Sequence, residues 1–163
     1  MNYTSIIEKK IVSEKELKQE LAIWRFQSKK IVFTNGCFDL IHPGHIHLLN
    51  TARSFGDILI VGLNTDASVQ KIKPGRPLQN EQARSLIMAS FEVVDAVILF
   101  EEETPLNLIK LIEPDVLVKG ADYSPDKVVG KEEVERTGGR IELVTFLEGI
   151  STTGIMKKIR EQP

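Results

Sequence analysis

Five nearly continuous runs of Val, Ile and Leu recur along the chain: KKIVFTNG, DILIVGLN, DAVILF, DVLVK and RIELVTF. Stretches with helical spacing separate them. A strand with one face in water alternates polar with apolar residues, so an unbroken run predicts a strand covered on both faces. Helices alternating with such strands pack as a parallel sheet with helices on each side. The predicted class is therefore α/β, built on five parallel strands.

The helical segments carry their own punctuation. Ser13 followed by Glu16 forms a capping box, and Leu17, Leu21 and Trp24 recur at helical spacing up to about Phe26. PGHIHLLNTARSFG presents Ile46, Leu49 and Ala52 on one face and predicts Gly56 as its C-cap. Asn80 is the expected N-cap of LQNEQARSLIMASFEVV. Thr104 and Pro105 read as N-cap and first residue of the next helix, which Pro114 ends. A short helix over Lys131–Arg136 stops at Gly138–Gly139, and STTGIMKKIR closes the chain as a helix capped by Ser151. The looser segments are Lys71–Gln79 and Ala121–Gly130. No repeat, low-complexity tract or linker divides the chain, so residues 1–163 read as one domain with residues 1–28 a helical extension.

A chain of 163 residues that is 42% hydrophobic is long enough to bury one good core. No stretch approaches the roughly 18 apolar residues of a membrane helix, and MNYTSIIEKK lacks the apolar centre of a secretion signal, so a cytoplasmic location is expected. The formal net charge of -2 argues against a general nucleic-acid binder, which needs a clustered basic face. The single cysteine, Cys37, excludes an internal disulfide and reads as a small packing residue rather than a nucleophile, having no evident base beside it.

Ligands of open parallel sheets collect beyond the carboxyl ends of the strands, where helices begin with free amides. Polar residues concentrate at those ends here: Thr34 to His45, Asn64 to Asp66, Lys119 to Tyr123, and Gly149 to Thr153. Gly44 lets the backbone approach a ligand closely. His42 at the helix start and His45 in its first turn can face one pocket. A helix N-terminus disfavours imidazolium until an anion arrives, so a histidine pair there suits donation to phosphate oxygens. The alternative is a zinc site from His42, His45, His47 and Asp39, although His47, two residues from His45, should point elsewhere. Glu101-Glu102-Glu103 reads as a solvated loop.

His42-Pro43-Gly44-His45 resembles the H-x-G-H signature of the nucleotidyltransferase superfamily, and Ile150-Ser151-Thr152-Thr153 resembles its I-S-T-T motif. Both stand where that superfamily has them, after the first strand and at the start of the last helix. The resemblance covers Lys30 to Ile159 and implies a Rossmann-like sheet in the order 3-2-1-4-5. NTDASVQKIK, GRPLQNEQAR, VDAVILFEEETP and PDVLVKGADYSPDKVVG resemble the heptose 1-phosphate adenylyltransferases, which in many bacteria form the C-terminal half of a kinase fusion. With no sugar-kinase segment in this sequence, a stand-alone form is expected. Glycerol-3-phosphate cytidylyltransferases read R-T-E-G before I-S-T-T, whereas this chain reads Phe146-Leu147-Glu148-Gly149. Ala121 stands where the heptose enzymes commonly have glycine.

The resemblance implies transfer of AMP from ATP, carried with Mg2+, to a heptose 1-phosphate, with release of pyrophosphate. A cytidylyltransferase acting on a polyol phosphate, or a non-catalytic nucleotide- or metal-binding module, is the alternative. His42, His45, Lys73 and Thr153 are then the expected catalytic residues, with Lys71 a weaker candidate beside Lys73. Thr34, Asn35, Gly36, Phe38, Gly44, Lys119, Gly120, Asp122, Gly149, Ser151 and Thr152 are the expected nucleotide contacts. Asp39, Asn64 and Arg84 are the expected substrate contacts, Asp39 resembling an acid near the sugar phosphate or metal and Arg84 one that reaches a phosphate. No resident metal site is expected, and superfamily members are often homodimers.

Overall fold

The computed structural model describes residues 3–120, 128–145 and 152–161. Its centre is a parallel sheet of β1 (Ile31–Gly36), β2 (Ile58–Asn64), β3 (Ala96–Phe100), β4 (Val116–Gly120) and β5 (Arg140–Val144), in the order β3-β2-β1-β4-β5. The Rossmann-like class and the strand order are those expected. β1 lies in the middle, with Phe33 opposite Ile60 of β2 on one side and Leu117 of β4 on the other. Connections leave β1 toward β2 and β3, and the chain later returns on the far side as β4. Where the winding reverses, the loops diverge and open a crevice at the carboxyl ends.

Successive strand residues serve opposite layers. Ile31, Phe33, Ile58, Ile60 and Leu117 pack with α2 (Glu14–Phe26), α6 (Leu106–Ile112) and α7 (Lys131–Arg136). Val32, Leu59, Val61 and Val116 pack with α3 (Pro43–Arg53) and α5 (Glu81–Ser90) on the other face. Every residue of β2 is buried, the physical reason its sequence shows no alternation.

The expected caps hold at two helices. Ser13 Oγ accepts from Glu16 N while the Glu16 carboxylate accepts from Ser13 N at 2.8 Å, and Asn80 Oδ1 accepts from Ala83 N at 2.9 Å. Leu17 and Leu21 of α2 are buried in the sheet's own core, so the helical extension contributes to that core. Ahead of it, α1 (Tyr3–Glu8) leads to a short strap across β3. Val12 N donates to Val97 O at 2.9 Å and Val97 N to Lys10 O at 2.7 Å, and Lys10 Nζ donates to Val94 O at 2.7 Å.

Three local expectations are corrected. Ile46 is exposed rather than on the packed face with Leu49 and Ala52. α3 ends at Arg53 with Ser54 at the cap, so Gly56 serves another need: a Cβ there would lie 2.7 Å from Lys30 O. α6 begins at Leu106 with Pro105 in the capping position, leaving Thr104 outside the helix. The apolar pattern announces neither α1 nor α4 (Asp66–Ile72), whose only buried apolar residue is Val69; Thr65 starts α4 by accepting from Ser68 N. α8 (Thr152–Glu161) closes the described chain; its expected cap, Ser151, lies outside the described residues.

Candidate active site

β1 ends in a sharp turn that aims the following loop back across the crevice. Phe38 takes a left-handed backbone conformation (φ 41°), costly for a bulky side chain and held here by burial of its ring. A Cβ at Gly36 would meet that ring at 3.1 Å, so a larger residue there would press on the Phe38 ring. The ring in turn packs on the His45 imidazole, centroids 5.4 Å apart. α3 opens with His42 at the cap, Pro43 at its first position and Gly44 buried behind them. His42 makes no capping hydrogen bond through its side chain; Pro43 has no N–H and His45 N donates to His42 O at 2.9 Å, which leaves Gly44 N as the first-turn amide open to an anion.

The two imidazoles stack, centroids 3.9 Å apart and planes 22° from parallel. Burial holds His42 below its ordinary pKa. Burial, then His42 and Lys73, depress His45 to about 4. Both rings are therefore neutral at pH 7. The Nδ1 atoms of His42 and His45 and the hydroxyl of Thr34 are buried without a hydrogen-bond partner among the described residues. Such groups are rare in a folded core and mark where a ligand completes the bonding.

A cavity of about 580 Å³ opens above these residues. It brings together Thr34, Asn35, Gly36, Phe38, Asp39, His45, Asn64, Lys73, Lys119, Gly120 and Thr152 of the expected set. Thr152 Oγ1 lies 3.5 Å from Leu40 O, so the start of α8 stands against the loop carrying the histidines. Lys119 Nζ donates to Asn35 Oδ1 and ties the end of β4 to the end of β1. Lys73 has no ion-pair partner among the described residues. His42 supports His45 from outside the lining, and Lys71 lines a separate groove beside β3. Asp122, Gly149 and Ser151 lie outside the described residues, as does the Thr153 side chain.

Two expected substrate contacts are occupied by the protein itself. Asp39 accepts from Arg76 Nη1 at 2.8 Å, from Leu78 N at 2.9 Å and from Gln79 N at 3.0 Å. Burial works against its charge, but Arg76 and those amides outweigh it and hold the carboxyl below the usual range. Arg84 does not reach the cavity. It is fully buried, with Nε donating to Gln79 O (3.1 Å), Nη1 to Cys37 O (2.6 Å), and Nη2 to Asn64 O (2.8 Å) and Asp66 Oδ1 (2.7 Å). One guanidinium thus fastens the ends of β1 and β2 to the segment before α5. Burial pushes the Cys37 thiol up, with Asp39 adding and Lys73 and Arg84 opposing, so it stays protonated at neutral pH.

Sequence reasoning did not place Arg76, Glu103 or Thr104 at the site, yet all line the cavity. Their positions depend on contacts between distant segments, which no local pattern carries. No group of three or more His, Cys, Asp or Glu among the described residues could hold a metal ion, and His47 lies away from the lining.

The sequence profile of cytidylyltransferase-like proteins matches residues 33–160. The chain is 58% identical over 135 residues to the bifunctional protein HldE of Geotalea uraniireducens (strain Rf4), covering 82% of this chain and 28% of that protein. It is 52% identical over 154 residues to the bifunctional protein HldE of Magnetococcus marinus (strain ATCC BAA-1437 / JCM 17883 / MC-1), covering 94% of this chain and 32% of that protein. The chain thus spans about a third of the length of these relatives. Among solved structures, the lipopolysaccharide core biosynthesis protein from Thermoplasma volcanium GSS1 superposes with a TM-score of 0.61 at 27% identity, over 73% of this chain and 97% of that one. The pantoate-beta-alanine ligase from Francisella tularensis shares the fold, with a TM-score of 0.58 at 18% identity over 92% of this chain and 76% of that one.

Proposed function

Because the chain belongs to the cytidylyltransferase-like family, we propose that it is a cytoplasmic adenylyltransferase transferring AMP from ATP to D-glycero-β-D-manno-heptose 1-phosphate, giving ADP-heptose and pyrophosphate for surface-glycan precursor synthesis. The observation that carries the reading is one cavity holding His45, Lys73 and the start of α8, donors suited to a triphosphate. The adenylyl and heptose assignments draw support from the likeness to the HldE proteins and from Phe146 where the cytidylyltransferases have arginine.

An oxygen of the acceptor phosphate attacks the α-phosphorus of ATP. The bond from that phosphorus to the oxygen bridging the β-phosphate breaks, and pyrophosphate leaves with the electron pair. The nucleophile is already an anion, so no general base is needed and catalysis reduces to positioning and charge stabilisation. Neutral His45 donates to the α-phosphate as charge builds there, backed by His42. Lys73 and the hydroxyl of Thr152 meet the leaving pyrophosphate, the role that the I-S-T-T resemblance also implies for Thr153. Magnesium enters with the triphosphate as part of the substrate. Arg84 and Asp39 hold the loops that frame the site. The superfamily resemblance supports a homodimer as the working form; sedimentation equilibrium should give twice the chain mass, and a monomer mass overturns it.

Pyrophosphate release is measured with ATP or CTP crossed against heptose 1-phosphate or glycerol 3-phosphate. ATP with heptose 1-phosphate should give the highest kcat/KM. Preference for CTP and glycerol 3-phosphate overturns the assignment.

A further inference from the structure

The cavity is not chemically uniform from end to end. Its middle, at the end of β1, carries His45 and Lys73, groups that favour phosphate. Its β2–β3 end carries Asn64, Glu103 and Thr104, with Ile72 and Pro105 as apolar wall. A carboxylate repels phosphate, so whatever occupies that end is the uncharged part of a substrate.

The three consecutive glutamates after β3 are sorted by the fold. Glu101 lines the separate groove beside β3. Glu102 accepts from Asn107 Nδ2 at 2.9 Å and is thereby held to α6. Glu103 alone lines the cavity, and neither it nor Thr104 has a hydrogen bond or ion pair among the described residues. The turn that presents them is fixed from below. Asn64 Nδ2 donates to Ser68 Oγ at 2.9 Å, and Ser68 Oγ donates to Glu102 O at 2.9 Å. That relay joins the end of β2 to the end of β3 and orients the loop before any ligand arrives.

We propose that Glu103 and Thr104 form the subsite for the ring hydroxyls of the acceptor sugar. The inference rests on the adenylyltransferase reading and deepens it. A carboxylate accepts hydrogen bonds from neighbouring hydroxyls of a pyranose, the threonine hydroxyl both donates and accepts, and Ile72 with Pro105 meets the C–H face of the ring. The buried, unpartnered hydroxyl of Thr34 independently marks this cavity as one that a ligand completes. All three glutamates are exposed, as a solvated acidic run should be, and one of them, Glu103, serves the cavity as the specificity-determining acid.

The test is steady-state kinetics of Glu103→Gln, Glu103→Ala and Thr104→Val, with ATP, acceptor and Mg2+ varied separately. Glu103→Gln should raise the KM for heptose 1-phosphate about 10-fold or more, as expected for a lost hydrogen bond to a charged group. The KM for ATP and the Mg2+ requirement should stay within about twofold of wild type, and the variant should lose most of the preference for heptose 1-phosphate over a ring-deoxy analogue. An unchanged acceptor KM overturns the proposal. So does a rise confined to ATP, which would make Glu103 a nucleotide contact, or to Mg2+, which would make it a metal ligand. Wild-type turnover is measured first, so failure of the heptose assignment is seen separately. In that event the same variants are run on the acceptor the wild type does use, and the subsite stands only if the KM for that acceptor rises.

Discussion

Replacing His45 by Gln removes a group that the fold keeps uncharged, and the effect is a pH dependence that can be worked out in advance. The folded pKa is about 4, through burial first and then the charges of His42 and Lys73, against an ordinary value of 6.5. Between those values the unfolded chain binds more protons than the folded one, so stability rises with pH across the window. The contribution is fully present above about 6.5 and is lost as pH falls toward about 4. The gap of 2.5 units (6.5 − 4) is worth about 2 to 3 kcal/mol at roughly 1.4 kcal/mol per unit, discounting for the ring's partial access to solvent. Urea unfolding of both proteins at about pH 7.5 and about pH 4.5 measures it. Other acid-sensitive groups, Asp39 among them, are common to both and cancel in the double difference. Wild type should lose about 2 kcal/mol more than His45→Gln on acidification. Equal losses would refute the neutral buried imidazole.

Other perturbations read other parts of the site. His45→Ala should lower kcat by at least ~10²-fold, the usual size for one transition-state donor; a variant with full turnover sinks that role. Asp39→Asn removes the charge that anchors Arg76, Leu78 and Gln79, and denaturant titration at pH 7 should show a loss of about 3 kcal/mol. Because the Asp39 pKa lies below 3.8, that stability is present in full above about 3.8 and is lost as pH falls from there through the depressed value. Arg84→Met strips the guanidinium from the half-buried Asp66 and from the carbonyls of Gln79, Cys37 and Asn64. It should cost about 3 to 5 kcal/mol and lower Tm by about 10 °C in a calorimetric scan.

The sheet was legible because β1 to β4 are covered on both faces, and double burial leaves a continuous apolar run that no polar alternation disguises; β5 is only partly buried and keeps Arg140 and Glu142. The capped helices were legible for the same kind of reason, since Ser13 and Asn80 act within a single turn. α4 was not: one buried valine in seven residues gives no periodicity, and what holds the segment is Thr65 and the turn after β3. The site divides along the same line. His42 and His45 sit in one turn and could be read together, whereas Asp39 meets Arg76 only because a loop folds over the end of β1. Arg84 carries the instructive lesson. Its charge pointed toward a phosphate, but the carbonyls of Asn64, at the end of β2, and of Cys37, just past β1, receive the guanidinium instead.

The strap from Lys10 to Val12 has a consequence for the protein's behaviour in concentrated solution. β3 is an outer strand of the sheet, and an outer strand's unpaired amides and carbonyls are a template on which another chain can add itself. The strap occupies that template at Val97, pairing both its N–H and its C=O. A version trimmed to begin at Ser13 would keep α2, with Leu17 and Leu21 in the core, and the whole cavity lining, yet present a bare edge. Light scattering should then show association that grows with concentration, while the untrimmed chain stays dispersed. Solubility is guarded here by residues that never touch a substrate.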